Sequence, residues 1–321
     1  MERMVRIGMM TVGALDPAAM RGALPGLMDA GLRSYWVGEH LAGARGRFQR
    51  TYADPFVELA TIGTLADGKA DLGTNVLLGP LHGVARVNRA VASLSQLSSR
   101  PVRVGLGTGW NPADYVAAGV EFAGRGARLD QMIADLRWLW GGEEPALAPS
   151  DAALGLADAG AALPARTPLL YAAGSRKDRM PLAPTVAKRV ARSDGWLVNP
   201  SSPDEHLATD LEAIARHRGR TGAPERCVIS AFAHLPRSGS DPASARAEQA
   251  GAYARLAGSP GSPTVGKYLY GTRQEIAERL FALAGWGAEE FVFVLIDPSA
   301  EQLDRLIELV GETGLVQSSA R

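Results

Sequence analysis

The stretch Val102-Arg-Val-Gly-Leu-Gly-Thr-Gly-Trp-Asn111 carries the most structural information in this sequence. Its alternating apolar residues predict a strand, and alternate glycines continue to the end of that strand. Because glycine lacks a Cβ, this strand end could let a flat or anionic ligand lie against backbone amides, or it could only permit a tight turn. Trp110 beside the glycines favours the ligand, since α/β enzymes bind cofactors at such strand ends.

The same stretch does not fit the dinucleotide-binding fingerprint. That fingerprint has the spacing Gly-x-Gly-x-x-Gly and opens a helix directly. Here Gly105, Gly107 and Gly109 are two residues apart, Trp-Asn-Pro follows them, and a long helical pattern begins only at Arg125. The glycines therefore do not indicate a dinucleotide site of that type.

Short apolar strands alternate with helical patterns through most of the chain. The predicted strands are Val5–Met10, Ser34–Val37, Asp71–Leu77, Val102–Leu106, Leu169–Ala172, Gly195–Leu197, Cys227–Phe232 and Phe291–Leu295. The predicted helices are Pro17–Ala30, Asp54–Leu65, Val84–Leu97, Arg125–Trp140, Leu182–Ala191, Asp204–Arg216, Arg273–Ala284 and Ala300–Val310. Eight strands alternating with eight helices predict an α/β fold of the (β/α)8 TIM-barrel type; an open doubly wound sheet is the alternative.

We expect residues 1–321 to form one barrel domain. Two stretches, near 141–167 and 234–270, are rich in small residues and proline and have little periodicity. Both are interpreted as irregular insertions at the C-terminal face of the strands, where long insertions often form lids or substrate walls.

The composition argues against several classes of function. The 34 Lys and Arg residues balance 34 Asp and Glu residues, and no basic stripe indicates a nucleic-acid partner. No apolar stretch approaches the length of a membrane span, and the N-terminus begins a strand rather than a signal sequence, so we expect a cytoplasmic protein without a membrane partner. The single cysteine, Cys227, lies in an apolar run that predicts a buried strand residue rather than a nucleophile.

The predicted strand ends carry many glycine, amide and hydroxyl groups and few paired carboxylates. This chemistry suits a large neutral ring with a phosphate better than it suits hydrolysis. Glu39-His40 ends the second strand, and His40 could act there as an acid or base near neutral pH or simply pack. His82 follows the third strand and could line the opening of the barrel at the same end.

Two further interpretations concern phosphate and metal ions. Ala172-Ala-Gly-Ser175 follows the fifth strand, with Arg176, Lys177 and Arg179 in the same loop. This composition predicts a phosphate cradle, or else a short turn that needs glycine only for its geometry. We expect no metal site, because the sequence lacks the His-x-His pair that barrel hydrolases often use.

Together these segments resemble the bacterial luciferase-like family of flavin monooxygenases and deazaflavin-dependent oxidoreductases. The similar segments, in the family's order, are Gly31–His40, Asp71–Val76, Leu97–Asn111, Arg125–Trp140, Ala172–Ser175, Ser193–Leu197, Gly271–Leu280 and Gly287–Phe293. The resemblance implies a TIM barrel, usually a homodimer, that binds reduced FMN or the deazaflavin coenzyme F420 at the strand C-termini and acts on a small organic substrate.

The resemblance also assigns roles to individual residues. His40 matches the family's catalytic histidine, which Glu39 would steer, and Asn75-Val76 match a non-proline cis peptide behind the cofactor ring. The other implied cofactor contacts are Thr74, Gly107, Thr108, Gly109, Asn111, Ala173, Gly174 and Ser175. Trp110 and His82 would line the substrate.

Departures from the family pattern bear on the identity of the cofactor. The segment before the fourth strand is Ser98-Ser-Arg-Pro101 rather than Gly-Arg, the usual Glu after Gly-Trp is Asp114, and the loop 175–184 is more basic. With F420 the chemistry would be hydride transfer with His40 as acid or base. With FMN a separate flavin reductase would supply FMNH2, and a monooxygenase would use oxygen through a C4a-peroxide.

The basic loop 175–184 suits a more anionic cofactor tail and therefore slightly favours F420 over FMN. Two alternatives come from other classes of protein: a non-catalytic flavin-binding barrel and a metal-dependent barrel hydrolase.

Overall fold

The computed structural model describes residues 5–13, 16–42, 52–141, 147–174, 181–198, 206–218, 226–257 and 268–312. Its strands are β1 (Arg6–Thr11), β2 (Ser34–Val37), β3 (Asp71–Thr74), β4 (Leu77–Leu78), β5 (Arg103–Gly107), β6 (Leu169–Ala173), β7 (Gly195–Val198), β8 (Cys227–Ala233) and β9 (Glu290–Leu295). Its α-helices are α1 (Pro17–Ala30), α2 (Pro55–Leu65), α3 (Val84–Leu94), α4 (Pro112–Ala118), α5 (Arg125–Leu139), α6 (Asp151–Asp158), α7 (Pro184–Ala191), α8 (Leu207–Arg218), α9 (Pro242–Ala257), α10 (Arg273–Gly285) and α11 (Ala300–Glu312).

The strands form one parallel sheet that closes on itself. Their order is β3-β2-β1-β9-β8-β7-β6-β5-β4, and β3 also pairs with β5 where Gly73 lies beside Arg103. Because β3 and β4 are two parts of one barrel strand, interrupted at residues 75 and 76, the sheet is an eight-stranded barrel with helices between its strands. The predicted (β/α)8 TIM barrel is confirmed.

Proline after a capping side chain begins several of the helices. Asp16 and Asp54 accept hydrogen bonds from backbone N–H groups of the first turn, and the proline that follows has no N–H to leave unpaired. Asn111 caps α4 in the same way, and Asp241 accepts from the N–H groups of Ala243 and Ser244 at the start of α9. Local sequence signals therefore mark where these helices begin.

Each predicted insertion contains a helix, so the expectation of irregular structure there is wrong in part. The first contains α6 and the second contains α9, of 16 residues. The buried side of α9 includes Ala245, Gln249 and Ala252. Small and polar residues on the buried side give the helix little hydrophobic periodicity, so periodicity does not predict it. The Asp241-Pro242 pair, which can cap and begin a helix, is the local signal that could have predicted α9.

A buried polar network fills the N-terminal end of the barrel interior. Arg103 donates hydrogen bonds to Glu290 and to Asp71, the latter at 2.6 Å. Ser34 also donates to Glu290, and the Trp36 Nε1–H lies 2.8 Å from the same carboxylate. The Arg103 guanidinium lies 5.6 Å from the centre of the Trp36 ring, within the range of a cation–π contact.

Neighbouring guanidinium charges and the absence of a side chain at Gly8 both stabilise this network. Burial by itself would raise the pKa of Glu290, but the Arg103 and Arg6 guanidinium groups outweigh burial, and the pKa lies below its usual range. A Cβ on Gly8 would lie 2.2 Å from the Ser34 hydroxyl, so glycine leaves the space that this network occupies.

The remaining sequence expectations about the fold concern burial. Cys227 is fully buried on β8, as predicted, and burial raises the pKa of its thiol. Across the described ranges, no helix has both the length and the apolar character needed to cross a bilayer.

We predict that Glu290→Ala lowers the free energy of unfolding by about 3–5 kcal/mol in urea denaturation, because it leaves Arg103 buried without one of its two carboxylates. Lys69→Ala removes the exposed ion pair with Asp67, whose side chain is 89% exposed, and should leave stability nearly unchanged. An equal effect of the two substitutions would contradict the role given to the network.

The same network predicts a pH dependence. A glutamate whose pKa is lowered by folding contributes stability above its ordinary pKa of about 4.3, and that contribution is lost as the pH falls through the lowered value. The difference in stability between the wild type and Glu290→Gln should therefore stay nearly constant from about pH 7 to about pH 5 and shrink as the pH falls further towards about pH 3. Denaturation curves that stay equally far apart over this range would count against it.

Candidate active site

The third barrel strand is interrupted at its C-terminal end. β3 ends at Thr74, β4 begins at Leu77, and the peptide bond between Asn75 and Val76 is cis. The family resemblance predicts this non-proline cis bond, and the structure confirms it. Asn75 and Val76 are half-buried at the mouth of the barrel.

Thr74 holds the upstream side of this interruption. Its hydroxyl donates to the Gly105 carbonyl at 2.8 Å and accepts from the Gly105 N–H at 2.9 Å. The Asn75 N–H donates to the Val37 carbonyl at 2.6 Å. A Cβ on Gly105 would lie 2.1 Å from the Thr74 carbonyl oxygen, so the close approach of β3 accounts for this glycine.

Glu39 holds the downstream side. Its buried carboxylate accepts a hydrogen bond from the Leu78 N–H at 2.7 Å, and both of its oxygens lie within 3.0 Å of His82 Nε2. The sequence analysis expected Glu39 to steer His40 and His82 to line the substrate. The structure brings Glu39 and His82 together beside the interruption, and the roles of these two residues toward a ligand stay predictions.

His40 is held by a different carboxylate, that of Asp114. His40 Nδ1 lies 2.9 Å from Asp114 Oδ2, while Asp114 Oδ1 accepts from the N–H groups of Leu41 at 3.0 Å and Ala42 at 2.8 Å. Asp114 is fully buried. Since a carboxylate accepts hydrogen bonds, Nδ1 carries the proton, and Nε2 is the ring nitrogen that can exchange a proton with a ligand.

Sequence reasoning missed the role of Asp114. It noted this residue only as a departure from the family's glutamate, although its place after Gly-Trp-Asn was the available signal. Asp114 and His40 are 74 residues apart, so local pattern does not show that they meet.

Aromatic rings flank the His40 imidazole. The ring centre of Tyr52 lies 5.1 Å from it and that of Trp110 lies 5.8 Å from it, both in edge-on arrangements. Trp110 is 50% exposed, so part of its ring is open to solvent beside the histidine. This position fits the predicted substrate wall, a role that stays a prediction; Tyr52 was not among the predicted residues.

The predicted cofactor residues after β5 also have structural uses. The Thr108 carbonyl accepts from the Tyr115 hydroxyl, and Gly109 has the left-handed φ of +66°. Asn111 accepts from the Ala113 N–H at 3.1 Å and so caps α4. The turn into α4 accounts for these contacts, and binding of a cofactor by the three predicted residues is untested.

The predicted phosphate cradle is described only in part. Ser175 and the basic residues Arg176, Lys177 and Arg179 lie outside the described residues. The Gly174 N–H donates to the Leu197 carbonyl at 3.2 Å. A Cβ on Gly174 would lie 2.4 Å from the Val186 side chain, so packing of α7 requires glycine at this position. Phosphate binding at this turn stays a prediction.

The floor of the mouth, formed by Val76, Gly107 and Ala173, fits a flat ring. Val76 and Ala173 are partly buried and pack against the apolar cluster of the barrel interior. A Cβ on Gly107 would lie 2.6 Å from Val76 and 3.7 Å from Ala173, so these two side chains converge over the glycine. An apolar floor beside an imidazole and an indole is suited to a flavin or deazaflavin ring. Among the residues that the structure describes, no group of three or more His, Cys, Asp or Glu side chains could hold a metal ion.

The Asp114 geometry makes a prediction about the loop that carries His40. Asp114→Ala removes the acceptor of two backbone N–H groups, so amide exchange at Leu41 and Ala42 should become at least about tenfold faster, whereas Asp114→Asn keeps an oxygen there and preserves protection. Hydrogen–deuterium exchange by NMR measures both.

Asp130→Ala is the matched control, because it also removes a partly buried carboxylate but breaks the ion pair between Asp130 of α5 and Arg189 of α7, which does not involve this loop. It should leave the exchange of Leu41 and Ala42 as it is in the wild type. Unchanged exchange in Asp114→Ala would show that the carboxylate does not hold this loop.

Comparison with known proteins identifies similar sequences. The family model for luciferase-like monooxygenases matches residues 7–263. An uncharacterised protein of Mycobacterium tuberculosis is 31% identical over 183 residues, which are 56% of this chain and 61% of the relative. The match therefore spans less than two thirds of that relative's length.

Solved structures with similar folds extend over nearly the whole chain. Monooxygenase RslO1 from Streptomyces bottropensis superimposes with a TM-score of 0.71 at 20% identity, covering 96% of this chain and 98% of that one. An F420-dependent secondary alcohol dehydrogenase in complex with an F420–acetone adduct has a TM-score of 0.67 at 16% identity, covering 98% of this chain and 100% of that one. At these identities the likeness is one of fold.

Proposed function

This chain belongs to the luciferase-like monooxygenase family, and from that premise we propose that it is a two-electron oxidoreductase that uses a reduced deazaflavin or flavin on a small organic substrate. One observation carries the proposal: the imidazole of His40 is fixed by the buried carboxylate of Asp114 at the end of β2, beside the interrupted third strand. That arrangement supports a role in proton transfer for this imidazole, because it lies beside an apolar floor.

We propose F420 as the cofactor. Val76, Gly107 and Ala173 would hold its ring, because they form an apolar surface at the mouth. The basic sequence after β6 suits the anionic tail of a deazaflavin. When bound, the reduced cofactor supplies a hydride to the substrate.

The chain's own residues would manage the proton. With Nδ1 bonded to Asp114, the neutral His40 ring can accept a proton at Nε2, and the carboxylate stabilises the imidazolium that results. In the direction in which the reduced cofactor would supply its hydride, the imidazolium would donate that proton to the substrate, so that hydride and proton together complete the two-electron reduction; the neutral ring would accept the proton in the reverse oxidation. With a ligand in the mouth, the apolar floor and the neighbouring rings of Tyr52 and Trp110 would limit the contact of water with the reacting atoms.

FMN is the second candidate cofactor, and the family's description as monooxygenases favours it. In that case a separate flavin reductase would supply the reduced flavin, oxygen would be a co-substrate, and the same apolar floor would hold the ring.

Cofactor titration tests this choice. We expect F420 to quench or shift its fluorescence on binding with micromolar or tighter affinity, and FMN to bind more weakly. Gly107→Ala should weaken the binding of the preferred cofactor at least about tenfold, because the new Cβ would displace the Val76 side chain that forms part of the floor. Gly22→Ala on α1, where nothing lies within 4 Å of the new Cβ, is the matched control and should bind as the wild type does. Tight FMN binding without F420 binding would replace our choice of cofactor.

Steady-state kinetics tests the proton-transfer group. Both His40→Ala and Asp114→Asn should lower kcat about 10²- to 10⁴-fold while the cofactor dissociation constant changes little. His217→Ala, on the exposed face of α8, should keep full activity. Undiminished turnover by His40→Ala would point to a different acid–base group, and loss of binding without loss of kcat would make His40 only a binding residue.

A further inference from the structure

The second insertion returns to the mouth of the barrel and adds to its wall. β7 pairs with β8 up to Val198, which lies beside Ile229. Three residues further along β8, Tyr268 forms a parallel bridge with Phe232, and the Leu269 N–H donates to the Phe232 carbonyl at 2.8 Å. Since β9 occupies the other edge of β8, the residues 268–270 continue the wall above β7.

Phe232 faces the inside of this wall. It lies beside Val294 of β9, which in turn lies beside Met10 of β1, and all three pack in the interior apolar cluster. Phe232 is partly exposed even though β8 has neighbours on both edges. Because the side chain points inward near the C-terminal end of its strand, the exposed part of the ring faces the mouth.

The ring of Tyr268 extends this aromatic surface. Its centre lies 5.3 Å from that of Phe232, with the two planes inclined by 32°. Tyr253 of α9 supports it from behind at 4.7 Å, and the buried Tyr253 hydroxyl donates to the Leu269 carbonyl. Tyr270 lies 5.0 Å from Tyr253 on the same segment. The backbone and the ring behind it therefore hold Tyr268 in place.

We propose that Phe232 and Tyr268 form a substrate wall that selects flat aromatic ligands. This wall and the His40–Trp110 side lie on different parts of the same mouth, because β2, β5 and β8 are spread round the eight-stranded barrel. An aromatic ring stacked on the wall gains an interaction that a saturated ring of equal size lacks. The inference rests on the proposed function for its chemical meaning, since it names the class of substrate.

The test uses 2-naphthol and its saturated counterpart 2-decalol as probes, with binding to the full chain measured by calorimetry. We expect 2-naphthol to bind about two- to tenfold more tightly than 2-decalol. Phe232→Leu and Tyr268→Leu, which keep an apolar side chain, should each bring that ratio close to one, and Tyr268→Phe should retain it. Phe281→Leu on α10, where the ring is 42% exposed, is the matched control and should keep the wild-type ratio.

Three outcomes would contradict the proposed substrate wall: an affinity ratio of the two probes near one in the wild type, no binding of either probe, or an equal loss of the naphthol preference in Phe281→Leu. If Phe232→Leu fails to fold in a thermal scan, Tyr268→Leu decides the question, because Tyr268 lies outside the strands of the barrel. Cofactor titration of the same preparations separates the two proposals. Cofactor binding without a naphthol preference removes the wall alone, whereas a naphthol preference without binding of either cofactor removes the proposed function alone.

Discussion

A barrel strand that leaves its ladder before the mouth must have its backbone groups bonded by something else. In this chain two side chains do so: the hydroxyl of Thr74, the last residue of β3, bonds both backbone groups of Gly105 on β5, and the Glu39 carboxylate, which follows β2, accepts from the Leu78 N–H of β4. A buried backbone group without a partner costs about 1–3 kcal/mol, so these bonds decide whether the interruption can exist. The apolar floor at Val76 depends on it.

The two carboxylates at the mouth have structural and chemical uses at once. Glu39 bonds a backbone N–H and a histidine, and Asp114 bonds two backbone N–H groups and His40. A side chain that fixes a loop also fixes the imidazole which that loop carries, and such preorganisation is what proton transfer at a defined atom requires. In the proposed function, local stability and proton transfer would depend on the same oxygen atoms.

The two ends of the barrel interior differ in character. Charged groups around Arg103 and Glu290 lie at the N-terminal end, where hydrogen bonds link them, and the interior side chains nearer the C-terminal end are mainly apolar and aromatic. This division follows the general one in (β/α)8 barrels, in which one face maintains stability and the other carries the site. The Glu39 and Asp114 carboxylates at the mouth are bonded to histidines and to backbone N–H groups, so the interior next to them stays apolar.

Local pattern predicts the eight-strand alternation, most helix starts and the burial of Cys227, because these depend on neighbours within one turn or one strand. The family resemblance predicts the cis bond at Asn75-Val76, which no local propensity favours. The contacts of His40 with Asp114 and of Glu39 with His82 follow from the folded barrel alone, since 74 and 43 residues separate these partners and only long-range packing brings them together.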